Sequence, residues 1–141
     1  VNFVYLSPHF PPNFQNFTFR LKELGVNVLG LADAPWEQLG VKLQCALSDY
    51  YKVDDLHNYD QLVRGLGWFT HRYGKIDRLD SHAEYWLETE ARLRTDFNIP
   101  GLKSDVITKM KSKSQMKEIF RKAKVPVAAG KVVATMAEAF A

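Results

Sequence analysis

Cysteine is nearly absent: Cys45 stands alone in 141 residues. One thiol excludes a disulfide framework and a thiolate metal cluster, and a reducing, cytoplasmic setting is the expectation that follows. No apolar run approaches the roughly 20 residues of a membrane-spanning helix, so no membrane partner is expected. Val1-Asn2-Phe3-Val4-Tyr5-Leu6 lacks the charged region and cleavage pattern of a secretory leader and reads as a buried strand. Signature loops are missing as well. There is no Gly-x-x-x-x-Gly-Lys-[Ser/Thr] loop and no Gly-x-Ser-x-Gly elbow. His9, His57, His71 and His82 are scattered, with no partner at i+4 to form a zinc pair. Cys45 falls in a predicted helix without an activating neighbour and is expected to be buried and inert.

What is present suits a globular chain. Apolar residues make up 46 %, enough to bury a core, and the length allows one domain, or one domain and a piece of another. Charge is unevenly spread. Residues 101–141 carry nine Lys/Arg against Asp105, Glu118 and Glu138, a net +6, which leaves −3 for the rest. A basic C-terminal piece suits an anion (nucleotide, nucleic acid or acidic protein) or a solvated face.

Hydrophobic patterning alternates strand and helix. Asn2–Leu6 is a short apolar run closed by Ser7-Pro8, followed by a stiff loop with Pro8, Pro11 and Pro12 in which Asn13 can cap a helix. Phe14, Phe17, Leu21 and Leu24 mark that helix's expected buried side, Gly25 supplies its left-handed stop, and Val26–Leu31 is a second strand. Asp33 stands where a dinucleotide fold has its ribose-binding acid, but prolines occupy the loop where glycines would cradle a pyrophosphate. The residues favour Asp33 as the start of a helix over Pro35–Leu43. Asp49–Val53 reads as a third strand, Asn58–Tyr73 as a helix burying Tyr59, Leu62, Val63, Leu66 and Phe69, and Ile76–Asp80 as a fourth strand. Ser81 and Glu84 form a capping-box pattern before a helix to about Phe97, with Tyr85, Leu87, Ala91 and Leu93 as packing residues. Trp36, Trp68 and Trp86 are expected to pack rather than to stack on bases. The fold class is α/β, a mostly parallel sheet flanked by helices. Loops Ser7–Asn13, Asp33–Trp36 and Asp80–Glu84 should then open on one sheet edge, where Ser7, His9, Asp33, Ser81 and Glu84 become candidate substrate-binding groups.

Ser112 to Val133 is the most informative stretch. Ser112 and Gln115 make another capping-box pattern; Met116, Ile119, Phe120 and Ala123 form an apolar stripe; Val125-Pro126 stops the helix before an expected strand. Lys113 occupies the first helical position, with Lys111 just before it. That end already carries about half a positive charge, and a lysine there loses up to roughly 1 kcal/mol. The same place suits a bound phosphate; a solvated lysine is the bland alternative.

Three motifs carry a family resemblance. They are Ser81-x-x-Glu84, Leu93-Arg94-x-x-Phe97-x-Ile99-Pro100-Gly101, and Lys113-x(6)-Phe120-x-Lys122-Ala123-x-Val125-Pro126-Val127. Residues 81–133 so resemble the junction of the pre-ATP-grasp and ATP-grasp domains in ATP-dependent carboxylate ligases, a superfamily that includes biotin carboxylase and carbamoyl phosphate synthetase. The resemblance implies a Rossmann-like pre-ATP-grasp domain over residues 1–108 and an incomplete first segment of the ATP-grasp domain over 109–141. It implies that Lys113 contacts the ATP phosphates and that the loops Ser7–Asn13 and Asp80–Glu84 help form the carboxylate-substrate side. ATP, magnesium and a small carboxylate are implied for the parent enzyme. The second phosphate-binding lysine, the lid, the adenine pocket and the magnesium-binding acids are expected beyond Ala141, so the chain is expected not to catalyse alone. A homodimer covering the exposed end is conceivable on the same grounds. Where the family commonly has Ala-Gly-Val-Pro, this chain has Ala123-Lys124-Val125-Pro126, placing lysine in a left-handed position at a cost of roughly 1 kcal/mol. The reading from another class is a stand-alone, non-catalytic α/β module whose basic end binds nucleic acid or an acidic partner. The ligase reading expects no tight nucleic-acid binding.

Overall fold

The computed structural model describes residues 1–140. Strands Asn2–Leu6 (β1), Asn27–Ala32 (β2), Asp49–Lys52 (β3) and Arg78–Asp80 (β4) form one sheet in the order β3-β2-β1-β4, every adjacent pair parallel. β1 lies between β2 and β4, with Val4 opposite both Leu29 and Leu79. The chain steps outward from β1 to β2 and β3, then crosses back to place β4 on the other side of β1, so the order reverses between β1 and β4. Such a switch point opens a crevice at the carboxyl ends of the strands.

Strand residues alternate between two cores, as a sheet covered on both faces requires. Val4, Leu6, Leu29 and Leu31 pack with Leu62, Leu66 and Phe69 of helix Tyr59–Tyr73 (α3) and with Leu93 of helix Leu87–Asp96 (α4). Tyr5 and Val28 pack with Leu39 and Leu43, against Phe14 and Phe19; the covering helices are Gln15–Glu23 (α1) and Val41–Ala46 (α2). α3 has the clearest local causes. Asn58 caps it by accepting from the Gln61 N–H, and Gly74 ends it at φ 80°. Gly65 lets it lie close to β2, because a Cβ there would stand 2.7 Å from Leu31 Cδ1.

Several expectations are corrected. Asn13 caps nothing, since Pro12–Phe14 forms a short 3₁₀ turn and α1 begins at Gln15 without a side-chain cap. That turn rotates the helix so that Thr18 is sealed while Phe17 and Leu24 are exposed. The Pro35–Leu43 helix is split into a 3₁₀ turn at Trp36–Gln38 and α2, because Leu39 is extended and dips into the core before Gly40. Cys45 is exposed rather than buried. Tyr85 is exposed as well, and Glu90 and Arg94 take buried places on α4 that apolar periodicity gave to other residues.

The chain divides into two compact units, residues 1–103 and the remainder from Ser104. The second holds helices Ser104–Lys111 (α5), Lys113–Lys122 (α6) and Met136–Ala139 (α7), with α5 against α6. Ser112 caps α6 through the Gln115 N–H, but its own N–H goes to Thr108 carbonyl, so the reciprocal half of the capping box is absent. Lys124 adopts the left-handed conformation at φ 59°. The strand expected near Val132 does not form among the described residues. Ile119 and Phe120 stay exposed.

Candidate functional site

The first candidate lies at the carboxyl edge of the sheet. β1 delivers Ser7 and the proline loop, β2 delivers Asp33, and β4 delivers His82 and the turn Glu84–Trp86. Together with His57 from the segment after β3 they line a cavity of about 580 Å³, within the range that holds a small ligand. Ser7, His9, Asp33 and Glu84 all line it, so four of the five candidate groups come together here. Ser7, directly after β1, and His82, two residues past the end of β4, have φ 55° and 59°. Left-handed backbone at non-glycine residues is strained, and it collects at functional sites.

Rings and imidazoles define the walls. His9 Nε2 stands 4.0 Å from Asp33 Oδ1, while its Nδ1 is sealed from solvent without a hydrogen-bond partner. Burial pushes the His9 imidazole below its ordinary value, with Asp33 pulling the other way, so His9 is neutral at physiological pH. His82 lies against the Phe17 ring at 4.0 Å between centroids and edge-on to Tyr5 and Phe14. His57 bridges Asp55 and Tyr85: its Nδ1 is 2.9 Å from Asp55 Oδ1 and its Nε2 is 2.8 Å from Tyr85 Oη. Sequence reasoning missed His57 and Tyr85. The one available signal was Asp55 two residues before His57, a local turn pattern in which the His57 N–H donates to Asp55.

Ser81, the fifth candidate, is buried outside the lining. Neither it nor Glu84 caps the following turn. The Ser81 hydroxyl and N–H instead donate to Glu90 Oε1. Glu90 accepts from Arg94 through its other oxygen at 2.9 Å, and Arg94 also donates to the Leu79 carbonyl and to Asp80. Burial raises the Glu90 carboxyl above the ordinary range; the Ser81 hydroxyl opposes the rise, Asp80 adds to it and Arg94 opposes it. This network fixes the end of β4 from which His82 projects.

The second candidate belongs to the second unit. Along one face of α6, Lys113, Lys117 and Arg121, joined by Lys131, line a cleft of about 370 Å³ beside Gly130. Glu118 is the only acid of that lining. A Cβ at Gly130 would stand 3.0 Å from Lys117 Nζ, which places that ammonium beside the Gly130 backbone. Cationic side chains, a helix N-terminus and a bare backbone make a receptor for a phosphate group. No three His, Cys, Asp or Glu side chains among the described residues are grouped to hold a metal ion.

No family model and no curated protein matches the sequence. Solved structures do match the fold. An L-amino acid ligase from Bacillus licheniformis is similar with a TM-score of 0.66 at 15 % identity, over 89 % of this chain and 30 % of that one. A phosphoribosylglycinamide synthetase from Anaerococcus prevotii is similar with a TM-score of 0.69 at 17 % identity, over 97 % and 32 %. The chain thus spans about a third of the length of either enzyme. The likeness is one of fold: the parallel α/β architecture of this chain recurs in about a third of each of those two proteins.

Proposed function

We propose that this chain is the N-terminal piece of a cytoplasmic ATP-dependent ligase that joins a carboxylate to an amine or related nucleophile through an acyl phosphate. Residues 1–108 are the pre-ATP-grasp domain and residues from 109 onward open the ATP-grasp domain. The observation that carries the reading is the basic cleft along α6, which begins at Lys113. Lys113 costs stability at a positive helix end, and three further cations, Lys117, Arg121 and Lys131, gather beside it. A polyphosphate relieves that repulsion. In the parent enzyme Lys113 would hold the ATP phosphates, and magnesium would supply further neutralisation of their charge. The sheet-edge cavity, with Ser7, His9, Asp33 and Glu84, is the substrate-binding side. Neither site supplies a complete catalytic set, so the chain alone turns nothing over.

Titration of the 141-residue chain with ATP, followed by amide NMR, tests the assignment. The expected result is weak binding that shifts Lys113–Arg121 and Gly130–Val132, and that Lys113→Ala and Lys117→Ala each weaken. Shifts spread over the whole surface, or equal affinity in the variants, would overturn it. The competing nucleic-acid reading predicts tight binding that falls steeply with salt; a salt titration against single-stranded RNA and duplex DNA is expected to show none.

A further inference from the structure

The two clefts have opposite electrostatic characters. The basic cleft gathers four cations, whereas no lysine or arginine lines the sheet-edge cavity. Its fixed charges are the carboxylates of Asp33 and Glu84. Asp33 is exposed and, among the described residues, its cationic partner is His9 alone, at 4.0 Å, and burial lowers the affinity of His9 for its proton. The neighbouring cation, Arg94, is already committed to Glu90, Asp80 and backbone carbonyls. An anion entering this cavity would meet two like charges and no compensating side chain. A cation would meet both carboxylates beside the rings of Phe10, Phe14, Tyr85 and Trp86, whose faces attract positive charge through the ring quadrupole. The same rings offer apolar area to a ligand body.

We infer that the sheet-edge cavity binds a primary ammonium group carried on an apolar or aromatic body, and that it discriminates against carboxylates and phosphates. Asp33 and Glu84 receive the ammonium, and the rings hold the body. The Asp55–His57–Tyr85 chain fixes one wall: with His57 held from both ring nitrogens, the Tyr85 hydroxyl is kept in place at the rim. This deepens the substrate assignment above: it makes the cavity the seat of the amine-bearing reactant and not of the acyl phosphate. It rests on the cavity alone and does not require the nucleotide assignment to be right.

Three probes of one body and different heads test it on the 141-residue chain: phenethylamine, 3-phenylpropionate and 2-phenylethanol. In amide NMR titrations phenethylamine is expected to bind tightest, shifting Ser7–Phe14 and His82–Trp86, with 3-phenylpropionate weakest. Asp33→Asn combined with Glu84→Gln should weaken the amine about tenfold, the worth of one charge-assisted contact, and leave the alcohol unchanged. Both positions are exposed, and the far-ultraviolet CD spectrum confirms that the variant is folded. Equal or tighter binding of 3-phenylpropionate or of the alcohol would overturn the inference, as would amine affinity indifferent to the double substitution or the absence of saturable amine binding. Lys113→Ala separates the two assignments: it should abolish the ATP shifts and leave the phenethylamine shifts as they are. Amine binding without any ATP binding would sink the nucleotide reading and spare this one.

Discussion

Glu90 and Arg94 meet at 2.9 Å, one helical turn apart on α4, with both side chains almost sealed from water. The guanidinium also donates from Nε and Nη2 to the Leu79 carbonyl and from Nη1 to Leu102 carbonyl, so it ties α4, the end of β4 and the segment after Ile99 together. Removing one member leaves a buried charge uncompensated. Glu90→Ala is expected to destabilise the first unit by about 3–5 kcal/mol, measured by urea unfolding. Because the Glu90 carboxyl is raised in the fold, the folded chain holds this proton more readily than the unfolded one. Its contribution to stability is therefore present below the ordinary glutamate pKa and lost as pH rises through the folded value. Glu90→Gln should remove that part of the pH dependence.

His9 acts with the opposite sign. Its imidazole is held below the ordinary value by burial, so the unfolded chain takes up the proton first as the medium is acidified. Stability contributed by this group is present above about pH 6.5 and lost as pH falls through the folded value. His9→Phe should flatten the acid limb of a stability–pH profile relative to wild type. An unchanged profile would mean that His9 is not shielded as the structure has it.

Gly65 leaves no space for a methyl group, with Leu31 Cδ1 at 2.7 Å and Tyr51 Cδ1 at 3.0 Å from a modest Cβ. Gly65→Ala gains helix propensity but overpacks the interface between α3 and β2. The steric term wins, and a net loss of about 1–3 kcal/mol is expected, read as a lower melting temperature.

Lys124 offers a stabilising change. Its φ of 59° follows the end of α6, where glycine carries no Cβ penalty. Lys124→Gly should gain roughly 1 kcal/mol in the second unit and slow amide exchange in the last turn of α6. Faster exchange there would show that the left-handed turn is not held in solution.

Much of the scaffold was legible because its causes are local. Asn2–Leu6 is an apolar run bounded by Ser7-Pro8, and α3 lies between an Asn58 cap and a Gly74 stop. The position of Lys113 as the first residue of α6 follows from Ser112. Apolar period failed where a side chain was drawn to a distant partner. Phe17 fits the helical stripe of α1 but leaves the core and covers His82. Ser81 fits a capping box, yet its hydroxyl goes to Glu90, because a buried carboxylate needs donors more than an exposed turn needs a cap.

By itself the sequence determined the alternation of strands and helices, the parallel sheet they imply, and a basic C-terminal stretch with a lysine at a helix mouth. All of these follow from period, turn chemistry and charge within a few residues. The meeting of Asp33 and Glu84 at one sheet edge was expected, but only the tertiary structure decided that no lysine or arginine lines their cavity and that His57 and His82 share it. They come from the ends of different strands, and parallel pairing across β3-β2-β1-β4 is what carries those ends to the same edge. The electrostatic contrast between an acidic, ring-walled cavity and a basic cleft therefore belongs to the packing, because charges distant along the chain set a common field only once folding has brought them side by side.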